Sequence, residues 1–268
     1  MDDKRFEFGK NWKRFISEID EERIDRAVVS LKNGLNVDAL ERKTFLDIGC
    51  GSGLFSLAAK RMKAFVHSFD YDRDSVYCAR ELKKRFYSDN KGWIIEQGSI
   101  LDKNYLKKLG QFDIIYSWGV LHHTGKMWEA LGNVVPLLKP QGKLFIAIYN
   151  HQLYWSYFYR FIKKLYVSSP VFGKWIIAGS YISFQFVKGF IKDILLFRNP
   201  FERYRERKKT RGMSMFIDWI DWIGGYPFEV AKPEEIFRFY HTKGLELENL
   251  KTCGSGRGCN EFVFIKKR

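Results

Sequence analysis

One eight-residue stretch, Leu46-Asp47-Ile48-Gly49-Cys50-Gly51-Ser52-Gly53, constrains this chain more than any other. The short apolar run Thr44 to Ile48 leads into it, and Leu54 to Arg61 leaves it with apolar residues at helical spacing. Strand, glycine turn and helix together let a backbone bend sharply and bring a helix N-terminus up to a ligand, because glycine has no Cβ to hold the chain away. The glycines fall as G-x-G-x-G and position 54 is Leu. The dinucleotide fingerprint is G-x-G-x-x-G, so the spacing disfavours a nicotinamide-dependent dehydrogenase.

Short apolar strands then alternate with longer amphipathic segments. Ala64 to Phe69, Trp93 to Gln97, Phe112 to Ser117 and Lys143 to Tyr149 read as strands, and Ser75 to Phe86 as a charged helix. Met127 to Lys139 has helical spacing, with Pro136 expected to kink or shorten it. Pro233 to Lys243 reads as a helix opened by proline, followed by strand-like runs Leu245 to Thr252 and Asn260 to Ile265 joined through Gly254 to Gly258. The expectation is an α/β fold: a doubly wound, mainly parallel seven-stranded sheet closing with a β-hairpin, plus a helical insertion. Asp70 ends the second strand, 21 residues beyond Gly49, where doubly wound folds place an acid that accepts hydrogen bonds from ribose hydroxyls. Asp72 is the weaker alternative.

With these residues in order, the chain resembles the class I S-adenosylmethionine (AdoMet)-dependent methyltransferases. LDIGCGSG, SFDYD, the GSILD run and FDIIYSWGVLHH are similar to that family's successive cofactor motifs and its Rossmann-like fold. The resemblance covers residues 44–150 and, through the last hairpin, 233–266. It implies that Gly49, Gly51 and Gly53, with Asp47 and Cys50 in the same turn, cradle the methionine and ribose part of AdoMet. It further implies that Asp70, beside Tyr71, holds the ribose, that Ser99 and Ile100 cover adenine, and that Trp118 borders the cofactor. Many relatives carry Asp where Ser99 stands, which leaves the backbone of Ile100 for that contact. LLKPQGKLFIAIYN resembles the fifth-strand entry of the ubiquinone-biosynthesis-like small-molecule branch, with Gln141 where glycine is common.

A methyl donor that is already a sulfonium needs an acceptor held in line more than it needs acid or base chemistry. A base serves only a protonated acceptor, and His122 and His123, after the fourth strand, are the candidates; a capping or core role for them is equally compatible with the sequence. Phe8, Trp12 and Phe15 form one stripe of an N-terminal helix that either covers the cofactor or simply packs. Trp12, Tyr149, Arg211, Asp221 and Tyr226 are the acceptor-side candidates. No metal is implied. The division expected is 1–43 as an N-terminal helical segment or lid, 44–150 as the AdoMet-binding core, 151–230 as a substrate-cap insertion, and 231–268 as the final helix and hairpin.

Composition bears on the acceptor. The net charge is +15, and residues 151–210 carry twelve Lys/Arg against three Asp/Glu. Tyr154 to Tyr204 interleaves 16 aromatics with these basic residues. That pattern suits an amphiphilic or anionic acceptor: a quinol, a lipid-linked compound or a phosphorylated glycan, met at a membrane surface by peripheral contact. Single-stranded nucleic acid would also stack there, but no [DN]-P-P-[FYW] motif follows the fourth strand, where Ser117-Trp118-Gly119-Val120 stands. The reading is a methyltransferase acting on oxygen or carbon of a small or lipid-like acceptor. The alternatives are an RNA methyltransferase, or a protein that binds AdoMet or S-adenosylhomocysteine without turnover. No obligate protein partner is evident. The four cysteines lack metal spacing and disulfide density. MDDKRFEFGK has no signal-peptide h-region, and the uncharged apolar-rich run Trp175 to Val187 is 13 residues, short of the ~20 that span a bilayer. A cytoplasmic location, peripheral to the membrane, is the expectation.

Overall fold

The computed structural model describes residues 6, 9, 12, 16–87, 92–197, 199, 215–254 and 256–267. These fall into two compact units, a larger one within 7–156 and 228–268 and a smaller one within 157–227 together with Phe6.

In chain order the elements are α1 (Glu21–Leu35), β1 (Thr44–Ile48), α2 (Leu54–Arg61), β2 (Phe65–Asp70), α3 (Arg73–Phe86) and β3 (Trp93–Gln97). They continue with α4 (Lys103–Leu106), β4 (Phe112–Trp118), α5 (Met127–Val134), β5 (Leu138–Tyr149), α6 (Tyr154–Ser168) and α7 (Val171–Leu195). The last are α8 (Met215–Gly224), α9 (Pro233–His241), β6 (Leu245–Lys251) and β7 (Cys259–Lys266).

All seven strands form one sheet in the order β3-β2-β1-β4-β5-β7-β6. β1 to β5 run parallel, while β7 lies antiparallel between β5 and β6. The central strands are apolar on both faces, as parallel strands covered by helices must be: Phe45, Leu46, Ile48, Ile114 and Ile115 are all buried. β1 pairs with β2 on one side and β4 on the other, so the strand order reverses there and a crevice opens at the carboxyl ends of β1 and β4. The hairpin expectation is met as well, since β6 and β7 pair from Leu245↔Lys266 to Lys251↔Glu261.

The shortening expected at Pro136 occurs, and β5 starts earlier than the sequence reading placed it. The helix expected through Lys139 stops at Val134, residues 135–137 tighten into a 3-10 turn, and β5 begins at Leu138, five residues before the expected Lys143. Pro136 explains the stop, since it has no N–H to donate and its ring crowds the preceding turn. Gln141 inside β5 takes φ +61, a left-handed conformation that costs glycine least.

The smaller unit is helical. Tyr166, Val167, Ala178 and Ile223 form its core, with Ile162, Ile177, Tyr181 and Trp222 packed against them. Tyr181 and Trp222 stack with centroids 5.1 Å apart, and the Lys163 ammonium lies 4.1 Å from the Trp222 ring centroid, a cation–π arrangement.

Candidate active site

The crevice is lined first by the turn after β1. Gly49, Gly51 and Gly53 have φ of +73, +53 and +81. The amides of Gly49 and Cys50 both donate to the Phe69 carbonyl, at 2.8 and 3.2 Å, which ties the turn to the end of β2. Two glycines are also needed for space. A Cβ on Gly49 would lie 2.3 Å from Val120 Cγ1, and one on Gly53 would lie 2.9 and 3.0 Å from Ala79 Cβ and Cα. The turn therefore fits only with glycine at these positions, because α3 and the loop after β4 approach it closely. Cys50 is buried, and burial raises its thiol well above the usual range.

Asp70 closes the other wall. Its Oδ2 accepts from the Gly51 amide at 3.0 Å and its Oδ1 from the Asp72 amide at 2.9 Å. A carboxylate offers about four lone-pair positions, so these amides and a further backbone hydrogen bond from Tyr71 still leave room for a ligand donor. Burial pushes Asp70 up to about 6, against these backbone hydrogen bonds and with the Asp72 charge adding to the rise. Asp72 itself caps α3, accepting from Asp74 N at 2.8 Å, and also accepts from Gly9 N at 2.9 Å. Tyr71, between them, is exposed, and its carbonyl accepts from Gln97 Nε2 at 3.0 Å.

Asp47 lies beneath the turn. Its side chain is buried and accepts from the Ser56 hydroxyl. Ser56 in turn lies 2.7 Å from Ser68 Oγ, which accepts from Trp93 Nε1 at 2.8 Å. Burial pushes the Asp47 carboxyl up to about 7; the Ser56 hydrogen bond opposes the rise and the Asp70 charge adds to it. Ser56 was not singled out from the sequence, because its role appears only once α2 folds back on β1.

At the end of β3, Ser99 Oγ accepts from Leu101 N at 3.2 Å. The side chain of Ile100 is in the core and its carbonyl accepts from Asn133 Nδ2 at 2.9 Å. At the end of β4, Trp118 is largely exposed, and a Cβ on Gly119 would meet nothing within 4 Å. His122, His123 and Tyr149 form one aromatic cluster, with ring centroids 4.0 Å apart for His122–Tyr149 and 5.4 Å for His123–Tyr149. The two histidines differ. His122 is fully buried and its Nδ1 accepts from the Tyr149 amide at 3.3 Å, which places the proton of the neutral ring on Nε2. His123 is only half-buried. Glu229, which the sequence did not suggest, fixes this corner: its amide donates to the His122 carbonyl at 3.0 Å and its carboxylate accepts from Met127 N at 2.9 Å. It thereby caps α5, whose own N-cap Lys126 provides no side-chain hydrogen bond.

Trp12 is brought to the site. A Cβ on Gly51 would lie 3.0 Å from its Cε2 and 3.1 Å from its Nε1, so the indole lies directly against the glycine turn. Tyr226 belongs to the smaller unit, where it packs beside Ile223 and its carbonyl accepts from Phe6 N at 3.1 Å. Arg211, Phe8 and Phe15 lie outside the described residues, as does the side chain of Asp221, whose backbone is part of α8.

Comparison with known proteins decides the family. Residues 40–170 match the family model of a methyltransferase domain. The ubiquinone biosynthesis O-methyltransferase of Coxiella burnetii is 30% identical over 128 residues, 48% of this chain and 52% of that one. The mitochondrial ubiquinone biosynthesis O-methyltransferase of Saccharomyces cerevisiae is 31% identical over 150 residues, 54% of this chain and 46% of its own. The chain thus spans about half the length of the curated relatives it matches. Among solved structures, a magnesium protoporphyrin IX methyltransferase of Synechocystis PCC 6803 with bound SAH superposes with TM-score 0.53 at 14% identity, covering 92% of this chain and 83% of that one. The protein PKMT2 of Rickettsia typhi, in complex with AdoHcy, gives 0.56 at 15%, covering 90% and 54%. These likenesses show the fold. Residues 40–170 form a class I methyltransferase domain.

The cofactor of such a domain is AdoMet, and the residues of this methyltransferase domain fit it. A left-handed glycine turn faces a carboxylate with acceptor capacity to spare, and the end of β4 presents an open backbone at Gly119. Among the described residues no cluster of His, Cys, Asp and Glu could hold a metal ion.

Proposed function

We propose that this protein is an AdoMet-dependent methyltransferase that methylates oxygen or carbon of a small, lipid-like acceptor such as a quinol or lipid-linked compound, at a membrane surface. The observation that carries the reading is Asp70, held at the end of β2 by the Gly51 amide across the glycine turn. Bound AdoMet supplies a methyl group on a sulfonium. The chain's own residues do the rest. Gly49 to Gly53 let a ligand approach the backbone with no Cβ in the way, Asp70 accepts hydrogen bonds from ribose hydroxyls, and the turn at Ser99 and Ile100 borders the base. Trp12, against Gly51, shields that wall from water.

His123 is the proposed base for an acceptor hydroxyl. His122 is a positioning residue, its ring held by the Tyr149 amide and its backbone by Glu229. Similarity to enzymes named for ubiquinone biosynthesis supports a small-molecule O-acceptor. Residues 151–230 are assigned acceptor recognition on their aromatic and basic composition.

Calorimetric titration with AdoMet, before and after Asp70→Ala, tests the reading. Hydrogen bonds to a charged group are worth about 1.5–3 kcal/mol, so affinity should fall roughly 10- to 150-fold while the fold is kept. Unchanged affinity would remove Asp70 from the site, and no AdoMet binding by the unaltered protein would sink the reading as a whole.

A further inference from the structure

Helix α7 carries an exposed apolar stripe along one face. Phe172, Trp175, Ile176, Phe186, Val187 and Ile194 recur at helical spacing, with Gly179 and Ser183 between them, and thus share one face. All six are exposed, Phe172 to 75% and Trp175 to 73%. The opposite face, through Ala178, Ile177 and Tyr181, packs into the smaller unit's core. Lys174, Lys188 and Lys192 sit on that opposite side, away from the stripe. The helix's acidic residue, Asp193, is buried. Directly after it, residues 198–211 carry seven Lys/Arg against two Asp/Glu. Among the described residues no helix is long and apolar enough to cross a membrane.

We infer that this face of α7 lies in the headgroup region of an anionic phospholipid bilayer, with the basic run that follows it drawn to the lipid charge. Large exposed apolar residues on one face and clustered cations next in sequence are the two signals that together give stable interfacial binding, where either alone is weak. Charge complementarity decides the occupant. A second copy docked on the same face would bring two net-positive 151–210 segments together. Nucleic acid would satisfy the charge but gain little from Ile176, Val187 and Ile194, which offer no ring for a base to stack on. The inference deepens the reading of a lipid-like acceptor and rests on it for the purpose of docking.

The test is sedimentation of the full chain with vesicles of phosphatidylcholine alone and with roughly one third phosphatidylglycerol, at low and high salt. Binding should require the anionic lipid, weaken with salt, and fall at least about tenfold in the neutral variant Phe172→Ser/Trp175→Ser/Ile176→Ser, whose net charge is unaltered. Trp175→Ser alone, at a side chain that faces outward, serves if the triple change disturbs folding. AdoMet titration of the same samples keeps the two ideas apart: normal AdoMet affinity with no vesicle binding overturns the docking and leaves the methyltransferase reading, and the reverse result does the opposite. Vesicle binding undiminished in the triple variant also overturns it, because charge alone then explains adhesion. So does a dimer that the triple variant dissociates, or single-stranded RNA binding that is tighter than vesicle binding and equally sensitive to the three substitutions.

Discussion

Gly53 illustrates how one missing methyl group sets the geometry of the site. Its φ of +81 would strain an L-residue, and a Cβ would lie 3.0 Å from the Ala79 backbone, which cannot rotate aside. Gly53→Ala should therefore destabilise the protein by about 2–4 kcal/mol, from left-handed strain and overpacking together. Adding Ala79→Gly separates the two. It removes the contact with the Ala79 Cβ but not that with its Cα, at a helix-interior cost of about 1 kcal/mol, so a double variant less stable than Gly53→Ala by that amount would mean that the Cβ contact is not what matters. Urea midpoints of the three proteins settle the point. The glycines and Asp70 were legible in the sequence because their meaning is local: a fixed spacing after one strand and at the end of the next. Ser56 and Glu229 were not. Each acquires its role only by contact across the fold, Ser56 with Asp47 and Glu229 with Met127 from 102 residues away.

At the scale of elements, short apolar strands alternating with amphipathic helices foretold the parallel sheet, and two strand-like runs joined through Gly254 to Gly258 foretold the closing hairpin. Helix ends were harder. Pro136 was expected to shorten α5, and it does, but the exact stop at Val134 and the passage through a 3-10 turn into β5 were not legible from the spacing. The start of α5 at Met127 was read correctly, but its cap was hidden, since Lys126 gives none and the carboxylate comes from Glu229 instead. Glu229→Ala should cost about 1–2 kcal/mol of stability, the usual range for a lost N-cap with a charge at a helix start. Glu229→Gln keeps an oxygen to accept from Met127 and should recover most of it. The same residue bonds the His122 carbonyl through its backbone, so that contact survives either change. Thermal unfolding of the two variants makes the comparison, and equal losses would show that charge rather than the hydrogen bond caps α5.

For the molecule as a whole, the ionisable groups whose proton affinity changes on folding set a stability curve that carboxylate pairing alone would not give. Asp113 is held down at about 2: burial works against this, but hydrogen bonds from the Thr44 amide, the Lys139 ammonium and the Thr44 hydroxyl outweigh it. Its contribution is present above the unfolded value of 3.8 and is lost as pH falls toward 2. Asp47 and Asp70 have the opposite sign. Burial raises them from 3.8 to about 7 and about 6, so between those values the native state binds more protons than the unfolded chain. Their contribution is greatest below pH 4 and is lost as pH rises to 7, after which it is flat. Each tenfold change in proton affinity corresponds to about 1.4 kcal/mol, so the combined loss is on the order of a few kcal/mol. Asp47→Asn keeps an acceptor for Ser56 but cannot ionise. Its stability advantage over the unaltered protein should be absent near pH 4, grow through pH 5 and 6, and level off above 7, as read from urea denaturation at each pH. An advantage independent of pH would mean that Asp47 is ionised throughout this range and that burial does not govern it. Ligand binding should counter the trend, because ribose hydroxyls donate to the ionised Asp70. AdoMet affinity in the unaltered protein is then expected to weaken as pH falls below 6, by at most roughly the 10- to 150-fold that Asp70→Ala loses, and Asp70→Asn, weaker overall, should lose that slope.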